Sequence, residues 1–138
     1  MRGKAFIDTN IFIYLYSEDE PNKKSLCIEY LRNHDCITST QAINELSNVL
    51  TRKWKLPAKD VKNVISEIQS SCRIELINIE VITRALSIHE KYGYSYYDCL
   101  MLSAAILNGC YYIFSEDMQD GQKIDGLEIV NIFQREKK

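Results

Sequence analysis

Four acids stand out in this sequence because of what surrounds them. Asp8 separates two apolar runs in KAFIDTNIFIYLY. Glu45 lies in STQAINELSNVLTRKW, beside an apolar stripe of Ala42, Leu46 and Val49. Asp98 opens YYDCLMLSAAILN three residues after Ser95, and Asp117 follows the apolar YYIFS segment. None of the four has a basic neighbour in the chain. If they gather, two unit charges ~4 Å apart repel by roughly 4 kcal/mol at an effective dielectric near 20. Such a group is either partly protonated or holds a cation. Hard oxygen ligands with few histidines or cysteines suit Mg²⁺ or Mn²⁺. One or two such ions lower the pKa of bound water, orient it against a phosphodiester and stabilise the leaving oxygen.

Each acid also has an ordinary reading. Asp8 is a favoured helix cap. Glu45 suits a solvated helix face. Ser95 and Asp98 have capping-box spacing, and an acid in a first turn favours the helix dipole. Asp117 lies in a loop full of turn formers, and a further acid, Asp120, precedes Gly121 as a turn residue does. Only their positions relative to the elements of the fold separate the two readings.

Those elements alternate. Short buried strands are predicted at residues 4–8, 36–39, 73–77, 111–115 and 127–132. A helix starts at Ile11 behind Asp8, Thr9 or Asn10 as cap, and Pro21 suits the first turn of a second helix over roughly 22–33. A third helix runs through STQAINELSNVLTRKW, capped by Ser39 or Thr40. Pro57 opens a fourth, with Val61, Val64, Ile65 and Ile68 on one face. A fifth carries Val81, Ala85, Ile88 and Tyr92 and stops at Gly93. The sixth begins behind Ser95 and closes at Gly109. DMQDGQKIDG reads as a loop with Asp-Gly turns, and QREKK as a frayed tail. Strand–helix alternation means parallel pairing and crossover helices: an α/β fold, a three-layer α/β/α sandwich around a mostly parallel sheet of about five strands. In such sheets the site lies beyond the carboxyl ends of the strands. Asp8 and Asp117 fall there, and Glu45 and Asp98 sit early in helices that bring them to the same edge.

Bulk properties narrow the function. The 138 residues suit one domain, 1–138, and 46% hydrophobic content supplies a core. A formal net charge of −2 argues against a chain that is basic all over. The five cysteines, at 27, 36, 72, 99 and 110, form no CxxC pair, and His34 and His89 are the only histidines to help them, so they read as reduced buried thiols rather than a zinc site or disulfide framework. No signal-peptide pattern and no apolar run near the ~20 residues of a membrane span occur; a soluble, cytoplasmic protein is expected. Neither G-x-G-x-x-G nor a P-loop motif is present, which counts against a nucleotide-binding module.

FIDTNIFIYLY, TSTQAINEL, YGYSYYDCLMLSAAILNGCYYIFSEDMQDG and LEIVNIF, in this order and across essentially the whole chain, resemble the motifs of the PIN domain family, and most closely the small VapC-type toxins of toxin–antitoxin pairs. The resemblance implies a metal-dependent endoribonuclease whose Asp8, Glu45, Asp98 and Asp117 bind Mg²⁺ or Mn²⁺. Thr9, Asn10 and Ser115 stand where the family has supporting polar residues, and Asp120 is an additional acid that some relatives carry. It further implies a homodimer and a small antitoxin protein that blocks the site.

An RNA substrate needs cationic contacts. Arg52, Lys53, Lys55, Lys59 and Lys62 cluster around Trp54 and read either as a solvated helix–helix hairpin or as a basic stripe for phosphates. Trp54 reads first as an anchor for the hairpin or for a partner, and second as a platform on which a base stacks. Of the tyrosines at 92, 94, 96 and 97, most suit core or interface positions and one or two the substrate groove. Two other functions stay open: a catalytically inactive PIN-like scaffold that binds RNA or protein, and a phosphatase with Asp8 as nucleophile, whose usual second acid is here Asn10.

Overall fold

The computed structural model describes residues 3–135. In chain order the elements are β1 (Lys4–Ile7), α1 (Thr9–Tyr16), α2 (Pro21–Arg32), β2 (Asp35–Ser39), α3 (Thr40–Asn48), α4 (Ala58–Ser71), β3 (Cys72–Glu75), α5 (Ile79–Tyr92), α6 (Tyr96–Leu107), β4 (Tyr112–Phe114), β5 (Lys123–Ile124), β6 (Leu127–Val130) and α7 (Ile132–Arg135). The sheet order is β3-β2-β1-β4-β6-β5, parallel throughout except for the β5–β6 pair. This is the expected three-layer sandwich with one more strand than the sequence suggested.

The alternation of side chains along the strands divides the core in two. Phe6, Ile37, Ile113 and Ile129 point to one face, where α5 and α6 supply Val81, Ala85, Ile88 and Leu102. Ala5, Ile7, Cys36, Phe114 and Val130 point to the other, against Ile11, Phe12, Cys27, Val61, Val64 and Ile68 of α1, α2 and α4. Both faces of β1 are therefore covered, which is why its sequence is apolar without alternation. All five cysteines are buried and unbridged. Among the described residues no helix is long and apolar enough to cross a membrane.

Three local expectations need correction. The third helix does not continue regularly to Trp54: residues Val49–Lys53 widen into a π-helical turn, and Lys55 takes a left-handed φ of 57°. The reversal lets Trp54 and Leu56 pack on the second core. Within the supposed loop at 116–126, Asp125 (φ 50°) and Gly126 (φ 86°) form a two-residue hairpin turn that pairs β5 with β6. Finally, the last strand stops at Val130 rather than at 132. The Asn131 side chain accepts the Phe133 N–H at 3.0 Å and starts α7, so Gln134 and Arg135 are helical rather than frayed. Residues 136–138 of the expected tail lie outside the described residues.

Strand order places β1 at the centre. The chain moves outward through β2 and β3, then returns to β4 on the opposite side of β1. The carboxyl ends of β1 and β4 flank the switch point of the sheet, where the parallel strands leave a crevice.

Candidate functional site

The register Ile7↔Phe114 brings Asp8 and Ser115, the residues just beyond β1 and β4, together. Asp8 caps α1. Its Oδ1 accepts the Thr9 N–H at 2.6 Å, and its Oδ2 accepts the Ser115 hydroxyl at 2.8 Å. The residue is only 5% exposed. Burial pushes its carboxyl up to about 7; the Ser115 and Thr9 hydrogen bonds oppose the shift, and the charges of Asp117 and Asp98 add to it. The cap reading and the functional reading of Asp8 thus describe the same residue.

The residues around Asp8 tie the other acids to it. The Thr9 hydroxyl donates to Glu45 Oε1 at 3.1 Å. The Asn10 amide donates to Asp117 Oδ2 at 2.8 Å. The Ser115 oxygen accepts the Asp117 N–H at 3.3 Å. Thr9, Asn10 and Ser115 therefore each hydrogen-bond between two parts of the edge. Asp98 belongs to α6, whose cap Ser95 accepts the Asp98 N–H at 3.2 Å. Burial holds the Asp98 carboxyl above its ordinary range, against a lowering by Ser95, with Asp117 and Glu45 raising it further. Asp8, Glu45, Asp98 and Asp117 hence share one electrostatic neighbourhood.

Asp120 is engaged elsewhere. Its Oδ1 accepts the Asn131 N–H at 2.8 Å and an Arg135 guanidinium N–H at 3.1 Å, contacts that hold its carboxyl below the ordinary range, the Asn131 bond most strongly. It pins α7 to the loop after β4. Arg52, Lys53, Lys55, Lys59 and Lys62 are exposed and make no ion pair among the described residues. They lie on the continuation of α3 and at the start of α4, while Trp54 is partly buried against the core, the anchor role rather than a stacking platform.

Gln41 was not anticipated. Its Nε2 donates to Glu45 Oε2 at 2.8 Å and to the Tyr97 carbonyl at 3.0 Å, so it links α3 to the start of α6. Its position four residues before Glu45 in an apolar-striped helix was the available signal. A second network lies behind Asp117: Lys23 pairs with Glu116 at 2.8 Å, and the Tyr14 hydroxyl donates to Glu116 at 2.7 Å. These face a concavity of about 690 Å³ between α2 and α7, whereas a recess of about 370 Å³ adjoins Glu45.

Among the described residues, no three acid, histidine or cysteine side chains meet closely enough to hold one ion between them. The donor chemistry nevertheless fits a hard dication: carboxylate oxygens, those of Asp8 and Asp98 held above their ordinary range by burial, and neutral donors fixing Asp8, Glu45 and Asp117 without a cation of the protein among them. Mg²⁺ commonly takes one or two carboxylates and keeps several waters, which asks less convergence than a closed cage.

The sheet is parallel around its switch point, and the acids at that edge come from parts of the chain far apart in sequence. The chain belongs to the PIN domain family, whose model matches residues 5–123. Its fold is shared with a toxin–antitoxin complex from Klebsiella pneumoniae (TM-score 0.69, 20% identity, 89% of this chain and 94% of that one). It is shared too with VapBC2 from Rickettsia felis, bound to a promoter DNA fragment (0.67, 17%, 91% and 96%). A third match is VapC20 of Mycobacterium tuberculosis, a sarcin-ricin loop cleaving toxin (0.66, 16%, 82% and 89%). A comparison with curated proteins finds no match.

Proposed function

We propose that this PIN domain is a Mg²⁺- or Mn²⁺-dependent endoribonuclease and the toxin of a type II toxin–antitoxin pair. The observation that carries the reading is Asp8: a carboxylate buried at the end of the central strand, gripped by Thr9 and Ser115 and sensing Asp98 and Asp117. Evolution of a stable fold alone would not favour burying that charge, since an unpaired buried ion costs several kcal/mol. The site residues would be Asp8, Glu45, Asp98 and Asp117, with Thr9, Asn10 and Ser115 in support. The family membership and the structural neighbours, a sarcin-ricin loop cleaving toxin and toxin–antitoxin complexes, support the same conclusion.

In this reading Asp8, Asp98, Asp117 and Glu45 hold the metal, directly or through water. Such a dication, when bound, would supply an activated water and neutralise charge at the phosphodiester. The chain's own part is preorganisation. Ser115 and Thr9 fix both oxygens of Asp8, Thr9 and Gln41 fix both oxygens of Glu45, and Asn10 fixes Asp117. Without a cation, Asp8 carries a proton for much of the time near pH 7, so its ionisation and metal uptake are linked. Exposed Arg52, Lys53 and Lys55 serve as phosphate contacts. The toxin acts in the cytoplasm as a homodimer and is silenced by a small antitoxin.

The purified protein is expected to cleave RNA only with added Mg²⁺ or Mn²⁺, and Asp8→Asn to abolish cleavage with an unchanged circular dichroism spectrum. Full activity in excess chelator overturns the mechanism. A non-catalytic RNA- or protein-binding scaffold is the second reading, favoured by the open spacing of the acids. Calorimetric titration with Mn²⁺ separates the two: no binding at millimolar metal selects the scaffold. The phosphatase reading loses ground, because both Asp8 oxygens are already hydrogen-bonded in a buried position and Asn10 is turned to Asp117.

A further inference from the structure

We propose that the recess beside Glu45 is a nucleobase subsite that selects which RNA base lies next to the cut. The inference rests on the ribonuclease reading and deepens it.

The recess, about 370 Å³, is lined by Gln41, Asn44, Glu45, Asn48 and Tyr97. Positions 41, 44, 45 and 48 share one face of α3 by helical spacing. No aliphatic side chain and no cation lines it, which disfavours both an apolar peptide anchor and a phosphate. Asn44 and Asn48 are exposed, and among the described residues their amides make no side-chain hydrogen bond. Each amide offers paired donor and acceptor groups, the complement of a base edge. Tyr97 is 63% exposed, although its own helix, α6, is buried from Cys99 to Ala105. A large aromatic ring held in water beside two idle amides is the combination by which proteins take up a splayed RNA base: the ring stacks on any base and the amides discriminate. Gln41 is a positioning residue here. It spends its NH₂ group on Glu45 and on the Tyr97 carbonyl, so the aromatic wall and the acid are held at one fixed spacing. A base seated in the recess has Glu45 as a wall, with Arg52 and Lys53 further along the same chain segment for neighbouring phosphates.

The test is cleavage of an RNA pool randomised across the target region, with Mn²⁺ and sequencing of the new ends. The wild-type protein is expected to favour one base at one position beside the cut. The double variant Asn44→Ala/Asn48→Ala is expected to flatten that preference about tenfold while preferences at other positions persist, the size of one or two lost hydrogen bonds. Tyr97→Ala is expected to lower kcat/KM about tenfold for all four bases. An unchanged end pattern in the amide variant overturns the subsite. If the wild-type protein cuts no RNA with any divalent metal, the ribonuclease reading fails by itself. The subsite is then decided by NMR titration of the protein with the four nucleoside monophosphates and with ribose 5-phosphate. Shifts of the Asn44 and Asn48 side-chain amides by the nucleotides alone uphold it, and their absence overturns it.

Discussion

Ser115 Oγ donates to Asp8 Oδ2 at 2.8 Å across 107 residues of chain, joining the ends of β1 and β4 at the switch point of the sheet. The bond is buried, and its value depends on the charge of its acceptor. A hydrogen bond to an ionised group contributes about 1.5–3 kcal/mol, a neutral one about 1. Ser115→Ala is therefore expected to cost about 2 kcal/mol at pH 8.5, where Asp8 is ionised, and about half of that at pH 5. Urea denaturation at the two pH values measures the difference; equal losses would show that Asp8 does not change charge between them.

Asp8 itself makes the metal-free protein pH-sensitive. Its folded pKa, about 7, lies above the ordinary carboxylate value. The folded state then binds more protons than the unfolded chain between the two values. The stabilising contribution is complete below about pH 4 and is lost as the pH rises through 7. Asp8→Asn keeps the cap and removes the ionisation. It is expected to raise the melting temperature in chelator at pH 8, by the equivalent of a few kcal/mol at most, and to lose that advantage at pH 4–5. Added Mn²⁺ should stabilise the wild-type protein and not the variant, by mass action. Thermal melts over a pH and metal grid check both parts.

Much of this was legible before any coordinates. Apolar runs followed by capping residues located β1, β2 and the starts of α1, α3 and α6, Gly93 located the end of α5, and the alternation of elements specified the parallel sheet. The expectation for Thr9, Asn10 and Ser115 came from the resemblance to the PIN family, and their hydrogen bonds to Glu45, Asp117 and Asp8 are visible only in three dimensions. Other features depend on tertiary context. VLTRK has good helical propensity, and nothing in its periodicity signals the π-helical turn that delivers Trp54 to the core. β5 is two residues long and follows from Asp125-Gly126, a hairpin signal read only as a turn. Asp120 resembles a site acid in sequence because its partners, Asn131 and Arg135, lie 11 and 15 residues away. How closely the four site acids converge is a matter of ångströms, which spacing along a chain does not encode.

Asp120 tests the division between an acid that holds the fold and the acids proposed to do chemistry. Its carboxylate accepts the Asn131 N–H and pairs with Arg135 at the protein surface. Asp120→Asn keeps an acceptor for Asn131 and loses the ion pair, so a cost under about 1 kcal/mol is expected. Because its folded pKa is lowered, the wild-type advantage is present above the ordinary carboxylate value and disappears as the pH falls through the folded one, below about pH 4. Denaturation at pH 7 and pH 3 measures this, and RNA cleavage by the variant is expected to stay within about twofold of wild type. A loss as deep as that of Asp8→Asn would return Asp120 to the site.

Thr9 and Gln41 hold opposite oxygens of the Glu45 carboxylate, at 3.1 and 2.8 Å. Two donors on one acceptor set do not act independently. With either donor present, Glu45 keeps one fixed oxygen and a restricted rotamer; with neither, it can swing out to water and leave the edge. Thr9→Val and Gln41→Ala are each expected to reduce kcat by about three- to tenfold, one hydrogen bond's worth. The double variant should lose more than the product of the two, approaching the effect of Glu45→Ala, while KM for RNA changes little in the Thr9 variant because that hydroxyl is buried. Single-turnover rates for the four proteins form the cycle. Strict multiplicativity would mean that the two bonds do not act through Glu45, and that its orientation is set by α3 alone.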